Sequence, residues 1–168
     1  MRRSLLVVVC VLAAALIAGI PAAAQQGGWF AAGVSYDNGG EKFHPYVTGE
    51  LYLTPNSSLG VEYLAEEISL SYWWGESRGL YGQVGFIDSN TRIEVGAWAS
   101  TDLSATISAS GWIGASKLLD NDSPIVVVAR GELYIPITDK LFALAGVDAA
   151  FHSEETVVGG RLAIGTDF

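Results

Sequence analysis

Beyond an apolar N-terminal segment, apolar and polar residues alternate along the chain with a period of two, which is the repeat of a β-strand and not of a helix. Clusters of Gly, Asp, Asn, Ser, Thr and Pro interrupt this alternation at short intervals and mark turns. The pattern predicts ten strands and no helix, with the strands over residues 29–37, 43–54, 58–65, 68–74, 80–87, 92–99, 103–115, 125–137, 141–152 and 156–168.

Each predicted strand has one uncharged face and one polar face. In "KLFALAGVDAAFH", Leu141, Val147 and Phe151 share a face, and Asp148 and His152 lie on the opposite face. Small residues and opposite charges on the polar face suit a narrow polar lumen, with the apolar face turned outward to lipid. The alternative is a soluble secreted barrel that turns its apolar face inward around a small apolar ligand.

Aromatic residues of the apolar faces fall at two levels when successive strands run in opposite directions. One level contains Phe30, Tyr72, Trp74 and Phe168, and the other contains Tyr36, Phe43, Tyr63, Phe86 and Phe151. Two such aromatic girdles are typical of barrels that meet both interfaces of a membrane. Because an open sheet edge is not tolerated in hydrocarbon, the predicted fold is all-β, a closed antiparallel up-and-down transmembrane β-barrel.

The segment "VEYLAEEISLSYWW" favours ten strands over eight. Its apolar residues are odd-numbered up to Ala65 and even-numbered from Ile68. A continuous strand cannot change parity without a bulge, so we expect a two-residue turn at Glu66-Glu67. The same test predicts two-residue turns at Ser89-Asn90 and Glu154-Glu155 and three-residue turns centred on Asn56, Thr101 and Asp139.

The N-terminal segment has the order of a secretory signal peptide: two arginines, an apolar run, and small residues before Gln25. We expect a signal peptide over residues 1–24 and a single barrel domain over residues 25–168. Cys10 is the only cysteine and lies in the signal segment, so the mature chain has no disulfide. Removal of Arg2 and Arg3 makes the formal charge of −9 more negative still. This acidity argues against nucleic acid as a partner.

With these features the whole mature chain resembles the small outer-membrane β-barrel families of bacteria, the OmpA-like and porin-like group. The resemblance rests on the signal peptide, the alternating strands, phrases such as "ELYIPITDKLFALAGVDAAF" and the C-terminal Phe168. It implies an outer-membrane location, with both barrel ends on the periplasmic side and outer-membrane lipid as a partner. It also implies that Phe168 is part of the signal read by the barrel-assembly machinery during biogenesis.

The polar faces predict a network of charged side chains in the lumen, made of Arg130, Glu132, Asp148, Arg161, Arg92, Glu94, Glu50 and Glu62. Turn lengths determine which residues face each other on neighbouring antiparallel strands. They place Asp148 between Arg130 and Arg161, with Glu132 close enough to share Arg130. We therefore expect this half of the lumen to be plugged.

The turn centred on Asn56 makes a second prediction, because it places Glu50 directly opposite Glu62. Like charges that face each other across strands are destabilising. One of the two is then protonated, or a cation holds both. Arg92, reaching from across the lumen, is the favoured cation.

Catalytic chemistry has weak support. His152 and Ser153 are adjacent and point to opposite faces of a strand, and Asp148 lies about 13 Å away along the strand, so no catalytic group is predicted. No metal cluster, phosphate loop or nucleotide fingerprint occurs in the sequence, so no metal and no cofactor is expected. Trp73, Trp98 and Trp112 are expected to point inward. We interpret them as side chains that fill the lumen, in preference to a platform that binds sugar or lipid.

Two classes of function follow. The first is a structural or small-pore outer-membrane barrel that performs no chemistry, and it is the favoured one. The second is a barrel that binds or modifies lipid or lipopolysaccharide. The oligomeric state and any permeant solute do not follow from the sequence.

Overall fold

The computed structural model describes residues 27–38, 42–88, 90–120, 122–153 and 155–168, and shows a closed barrel of ten antiparallel strands. The predicted signal peptide at residues 1–24 lies outside the described residues. The strands are β1 (Gly28–Asp37), β2 (Lys42–Thr54), β3 (Ser57–Leu64), β4 (Glu67–Gly75), β5 (Arg78–Ile87), β6 (Asn90–Asp102), β7 (Ser108–Leu118), β8 (Val126–Pro136), β9 (Leu141–Phe151) and β10 (Thr156–Asp167). Each strand pairs with the next in sequence, which is up-and-down topology.

Pairing of β1 with β10 closes the barrel, from Trp29 opposite Asp167 to Asp37 opposite Gly159. At the chain end, Phe168 N donates to Gly28 O at 3.0 Å, and Gly28 N donates to Phe168 O at 3.2 Å. The C-terminal residue is thus held in the sheet. Closure leaves no unpaired edge, which is the condition for a sheet to stand in hydrocarbon.

The barrel is inverted relative to a soluble one. Large apolar side chains such as Val147, Leu162 and Ile164 are exposed on its outer surface. Polar side chains such as Gln83 and Glu94 are buried inside. An outward apolar surface around a polar interior is the arrangement of transmembrane barrels, and it is the reverse of a soluble carrier of apolar ligands. Within the described ranges, no helix is long and apolar enough to cross a membrane.

The barrel has two rims. The one that we call the terminal rim carries both ends of the barrel and the connections β2–β3, β4–β5, β6–β7 and β8–β9. The distal rim carries the other five connections. Phe30, Tyr72, Trp74 and Phe168 lie near the terminal rim, and Tyr36, Phe43, Tyr63, Phe86 and Phe151 lie near the distal rim. All nine are exposed or half-buried on the outer side.

The strand count and the faces agree with the sequence prediction, but several turns differ. Leu64 pairs with Glu67, so the β3–β4 turn is Ala65-Glu66 and not Glu66-Glu67. Both turn residues have positive φ, 49° and 72°. Two positive φ values define the turn that matches the twist of a two-residue hairpin. The change moves the register by two residues, preserves every face and brings the Glu67 side chain inside the barrel.

The β6–β7 connection is longer than predicted. β6 continues to Asp102, which pairs with Ser108, so residues 103–107 form the turn that was predicted to be three residues around Thr101. Leu103 N donates to Ile107 O at 2.8 Å across it. The apolar alternation through Leu103 and Ile107 therefore belongs to a turn at the membrane edge and not to the start of a strand.

Four other turns complete the comparison, and three of them differ from the prediction. Asp88, with φ of 51°, follows Ile87, which pairs with Asn90, so the predicted Ser89-Asn90 turn lies one residue earlier. Phe151 pairs with Thr156, so the predicted two-residue turn at Glu154-Glu155 spans four residues. Thr54 pairs with Ser57 next to a bulge, where a three-residue turn around Asn56 was predicted. The predicted register around Asp139 is correct, with Pro136 opposite Phe142.

Candidate functional site in the barrel lumen

A salt bridge crosses the full diameter of the lumen. Arg130 on β8 lies five strands from Glu62 on β3 in either direction around the ten-stranded barrel, and its Nη1 is 3.1 Å from Glu62 Oε1. Both side chains are largely withdrawn from solvent, at 10% and 14% exposure. A charged hydrogen bond between opposite walls fixes the width of the lumen at this level.

Arg161 on β10 is the centre of the same layer. Its Nη1 is 3.1 Å from Glu62 Oε2 and 3.4 Å from Glu132 Oε1, and its Nη2 is 2.8 Å from Asp148 Oδ1. The residue is 2% exposed, and its guanidinium also lies over the Tyr46 ring, 5.1 Å from the centroid. We call this layer of Glu62, Arg130, Glu132, Asp148 and Arg161 the septum. Buried charges survive in a protein interior when they are paired in this way.

A second charged cluster stands on the wall formed by β4 to β7. Arg92 Nε donates to Glu67 Oε1 at 2.9 Å, and its Nη1 pairs with Glu94. Tyr81 Oη donates to the other oxygen of Glu94 at 2.7 Å, and Glu94 is fully buried. Arg92 Nη1 also donates to Ser116 Oγ at 3.3 Å. This cluster narrows the lumen from the side opposite Arg161.

The septum divides the lumen into two cavities, which share Glu62 and Arg130 as lining residues. The terminal vestibule, about 320 Å³, opens toward the terminal rim and has Glu132 in its wall. The distal vestibule, about 440 Å³, opens toward the distal rim and has Asp148 in its wall. The charged layer therefore lies between the two cavities.

The predicted charge network is brought together only in part. Asp148 is opposite Arg130 in register, as predicted, but it is opposite Gly159 and not Arg161 on β10. Its carboxylate nevertheless binds Arg161 diagonally. Glu132 contacts Arg161, where sharing with Arg130 was predicted. These differences follow from the longer β9–β10 turn, which shifts β10 by two residues relative to the prediction.

The predicted Glu50–Glu62 pair is wrong. The bulge beside the β2–β3 turn places Glu50 opposite Gly60 and Glu62 opposite Thr48. Arg92 binds Glu67 and Glu94 and does not bridge the two glutamates. Glu62 is held by the two septum arginines, whereas Glu50 accepts hydrogen bonds from Trp29 Nε1, at 3.1 Å, and from Ser58 Oγ.

Aromatic side chains fill much of the terminal half of the lumen. Trp73 stacks on Tyr81 with centroids 4.7 Å apart and meets the edges of Trp98 and Trp112 at 6.1 Å and 5.6 Å. The inward orientation predicted for the three tryptophans agrees with this packing. On the other wall, Phe142 stacks on Tyr134 with centroids 4.4 Å apart. His152 lies just beyond β9, is exposed, and lines the distal vestibule.

Sequence reasoning missed Tyr46 and Glu67. Tyr46 is 1% exposed and accepts a hydrogen bond from Arg161 Nη1 at 3.1 Å. Its position on the polar face of β2 was a usable signal, because a tyrosine there must point into the lumen. Glu67 was assigned to a turn, whereas it is the first residue of β4 and pairs with Leu64.

Solved structures that are similar to this chain include three barrels. The translocator domain of the autotransporter NalP from Neisseria meningitidis has a TM-score of 0.50 and 12% identity, over 85% of this chain and 89% of that one. The N-terminal β-barrel domain of Pseudomonas aeruginosa OprF has a TM-score of 0.48 and 13% identity, over 85% of this chain and all of that one. A de novo designed transmembrane β-barrel has a TM-score of 0.47 and 14% identity, over 84% and 95%.

No protein-family model matches the chain, and no curated protein matches it. At 12% identity the similarity to the NalP translocator domain concerns the fold alone. Together with the outward apolar surface and the closed sheet of this chain, it defines a transmembrane β-barrel of ten strands.

Proposed function

We propose that this protein is an integral outer-membrane barrel with a structural role, whose lumen is closed and which performs no catalysis. The observation that supports a closed lumen is the Glu62–Arg130 salt bridge across the barrel diameter, reinforced by Arg161. A hydrated solute has to separate these buried charges in order to pass. Breaking such a pair leaves an uncompensated charge at a cost of about 3–5 kcal/mol.

The architecture itself supports the outer-membrane location. Closed antiparallel barrels with outward apolar residues are the structures that span that membrane. We infer that the terminal rim faces the periplasm, because both ends of the barrel lie there. One distal connection is described in full, the two-residue Ala65-Glu66 turn. A turn of this length offers little surface for a receptor or an adhesin. The lipid of the membrane is then the main partner, with the assembly machinery as a transient one.

Expression of the full chain in a Gram-negative host tests this proposal. We expect the protein in the outer-membrane fraction, released only by detergent, with an electrophoretic mobility in SDS that changes on heating. Liposomes that contain it are expected to swell in arabinose no faster than protein-free liposomes. Recovery in the soluble periplasm would overturn the location, and rapid swelling would overturn the closed lumen.

A further inference from the structure

The terminal vestibule contains a feature that a purely structural plug does not require. Its walls carry aromatic side chains from six different strands: Trp29, Tyr52, Trp73, Trp98, Trp112 and Tyr134. The cavity of about 320 Å³ lies within the usual size range of small-molecule sites, roughly 300–1,000 Å³.

The cavity is also acidic. Its charged lining residues are Arg130 and four glutamates, Glu50, Glu62, Glu76 and Glu132. Glu62 and Glu132 are matched by the septum arginines. Two carboxylates therefore give this compartment a negative potential: Glu50, within the lumen, and Glu76, exposed at the rim.

Glu50 is the unusual member. Its carboxylate is oriented by Trp29 Nε1 and Ser58 Oγ, both neutral donors. Among the described residues, no Lys, Arg or His approaches it within 4.0 Å, in contrast to every septum carboxylate. Gly60, directly opposite on β3, has no side chain, and Ser71 Oγ and Trp73 Nε1 lie where a Cβ at that position would stand. The Glu50 carboxylate is thus positioned by neutral donors and has no cationic partner within that distance.

We propose that the terminal vestibule binds a small alkylammonium cation, with Glu50 as its counter-ion and the surrounding rings as its walls. Aromatic faces combined with a carboxylate are the chemistry that recognises quaternary ammonium groups, because ring quadrupoles attract a weakly hydrated cation.

Intrinsic tryptophan fluorescence can report this binding. Four of its five tryptophans, Trp29, Trp73, Trp98 and Trp112, line the vestibule, and Trp74 is exposed on the outer face. Choline chloride is titrated into the folded barrel while sodium chloride is reduced to keep the ionic strength constant. The detergent is octyl glucoside, which contains no ammonium group. The neutral isostere 3,3-dimethylbutan-1-ol has the same shape without the charge.

We expect saturable quenching of tryptophan emission by choline, with binding at least about tenfold tighter than that of the isostere. Glu50→Gln keeps one acceptor oxygen for Trp29 Nε1, and its amide nitrogen can donate to the Ser58 hydroxyl. This variant is expected to reduce choline binding to the level of the isostere. Asp88→Asn is the matched control, since it removes one carboxylate at the distal rim, and it is expected to leave choline binding unchanged.

Equal binding of choline and the isostere would overturn the proposal, as would unaltered binding in Glu50→Gln or the absence of any saturable signal. If Glu50→Gln fails to show a heat-sensitive mobility in SDS, calorimetric titration of the wild-type barrel with the two ligands decides the question alone. The outcome is independent of the closed lumen, because swelling and membrane insertion are measured separately.

Discussion

The septum and the terminal vestibule are adjacent regions of one lumen. They differ in whether a buried carboxylate is paired with a cation. In the septum, Arg161 contacts three carboxylates and Glu62 contacts two arginines, so each carboxylate has an arginine partner. In the vestibule, Glu50 has hydrogen-bond donors but no cation among the described side chains. The septum thus has the features of a stabilising partition, whereas the vestibule retains an unmatched charge and open space. Substitutions in the two regions should therefore differ in their effects on stability.

The largest effect is expected for Arg161→Met. This change leaves Glu62, Glu132 and Asp148 in a buried layer with Arg130 as the one remaining cation of the septum. We expect the free energy of unfolding, measured by urea titration in lipid vesicles, to fall by about 3–5 kcal/mol. Arg78→Met, at an exposed position of the terminal rim, is the control and should change it by less than about 0.5 kcal/mol. A loss below about 1 kcal/mol in Arg161→Met would contradict the role of the septum.

The second-largest change in stability is expected for a substitution that tests whether the outer surface contacts lipid. Gly82 lies in the middle of β5 on the outward face, and a Cβ built there meets no atom within 4 Å. Gly82→Arg should therefore destabilise the barrel by about 2–4 kcal/mol through burial of a charge in lipid and not through a clash. Gly82→Leu, at the same site, should be tolerated. If the two variants refold into vesicles with equal stability, the outward face does not contact hydrocarbon.

A graded pair of substitutions inside the septum should show a smaller difference. Glu62→Gln weakens contacts to two arginines, whereas Asp148→Asn weakens a contact to Arg161 alone. We expect losses of about 1–3 kcal/mol, larger for Glu62→Gln, in the same unfolding assay. The reverse order would show that Asp148 and not Glu62 is the centre of the network.

The smallest change in stability is expected for Phe168→Ala. This residue pairs with Gly28 through its backbone, and its ring is half exposed at the rim, so the alanine variant keeps both hydrogen bonds. Unfolding in vesicles should change by less than about 1 kcal/mol. If the ring is read during assembly, the yield in the outer membrane of cells should nevertheless fall well below the wild-type level. A normal yield of Phe168→Ala in the outer membrane would contradict a role of the Phe168 ring in assembly.

The strand number and the two faces could be predicted because each depends on local alternation. The parity change between Ala65 and Ile68 is visible in the sequence and requires a turn, whatever its position within a residue or two. The register could not be predicted equally well. A bulge beside Thr54 and a four-residue β9–β10 connection each shift a pairing without altering any face.

The contacts across the lumen were missed for a different reason. Turn lengths describe neighbouring strands, but Glu62 and Arg130 lie on strands that are five apart. Closure of ten strands makes β3 face β8, so this pairing of strands follows from the count alone. The height of each side chain along the barrel axis also depends on the stagger of the strands around the barrel. Errors in the register of successive strand pairs add up in that stagger.

Single-channel recording in planar bilayers tests most directly whether the septum closes the lumen. The wild-type barrel is compared with a double variant, Glu62→Ala with Arg130→Ala, which removes the salt bridge across the diameter and keeps the net charge. We expect wild-type insertions without conductance steps and small, reproducible steps in the double variant. Steady wild-type conductance equal to that of the double variant would contradict a closed lumen.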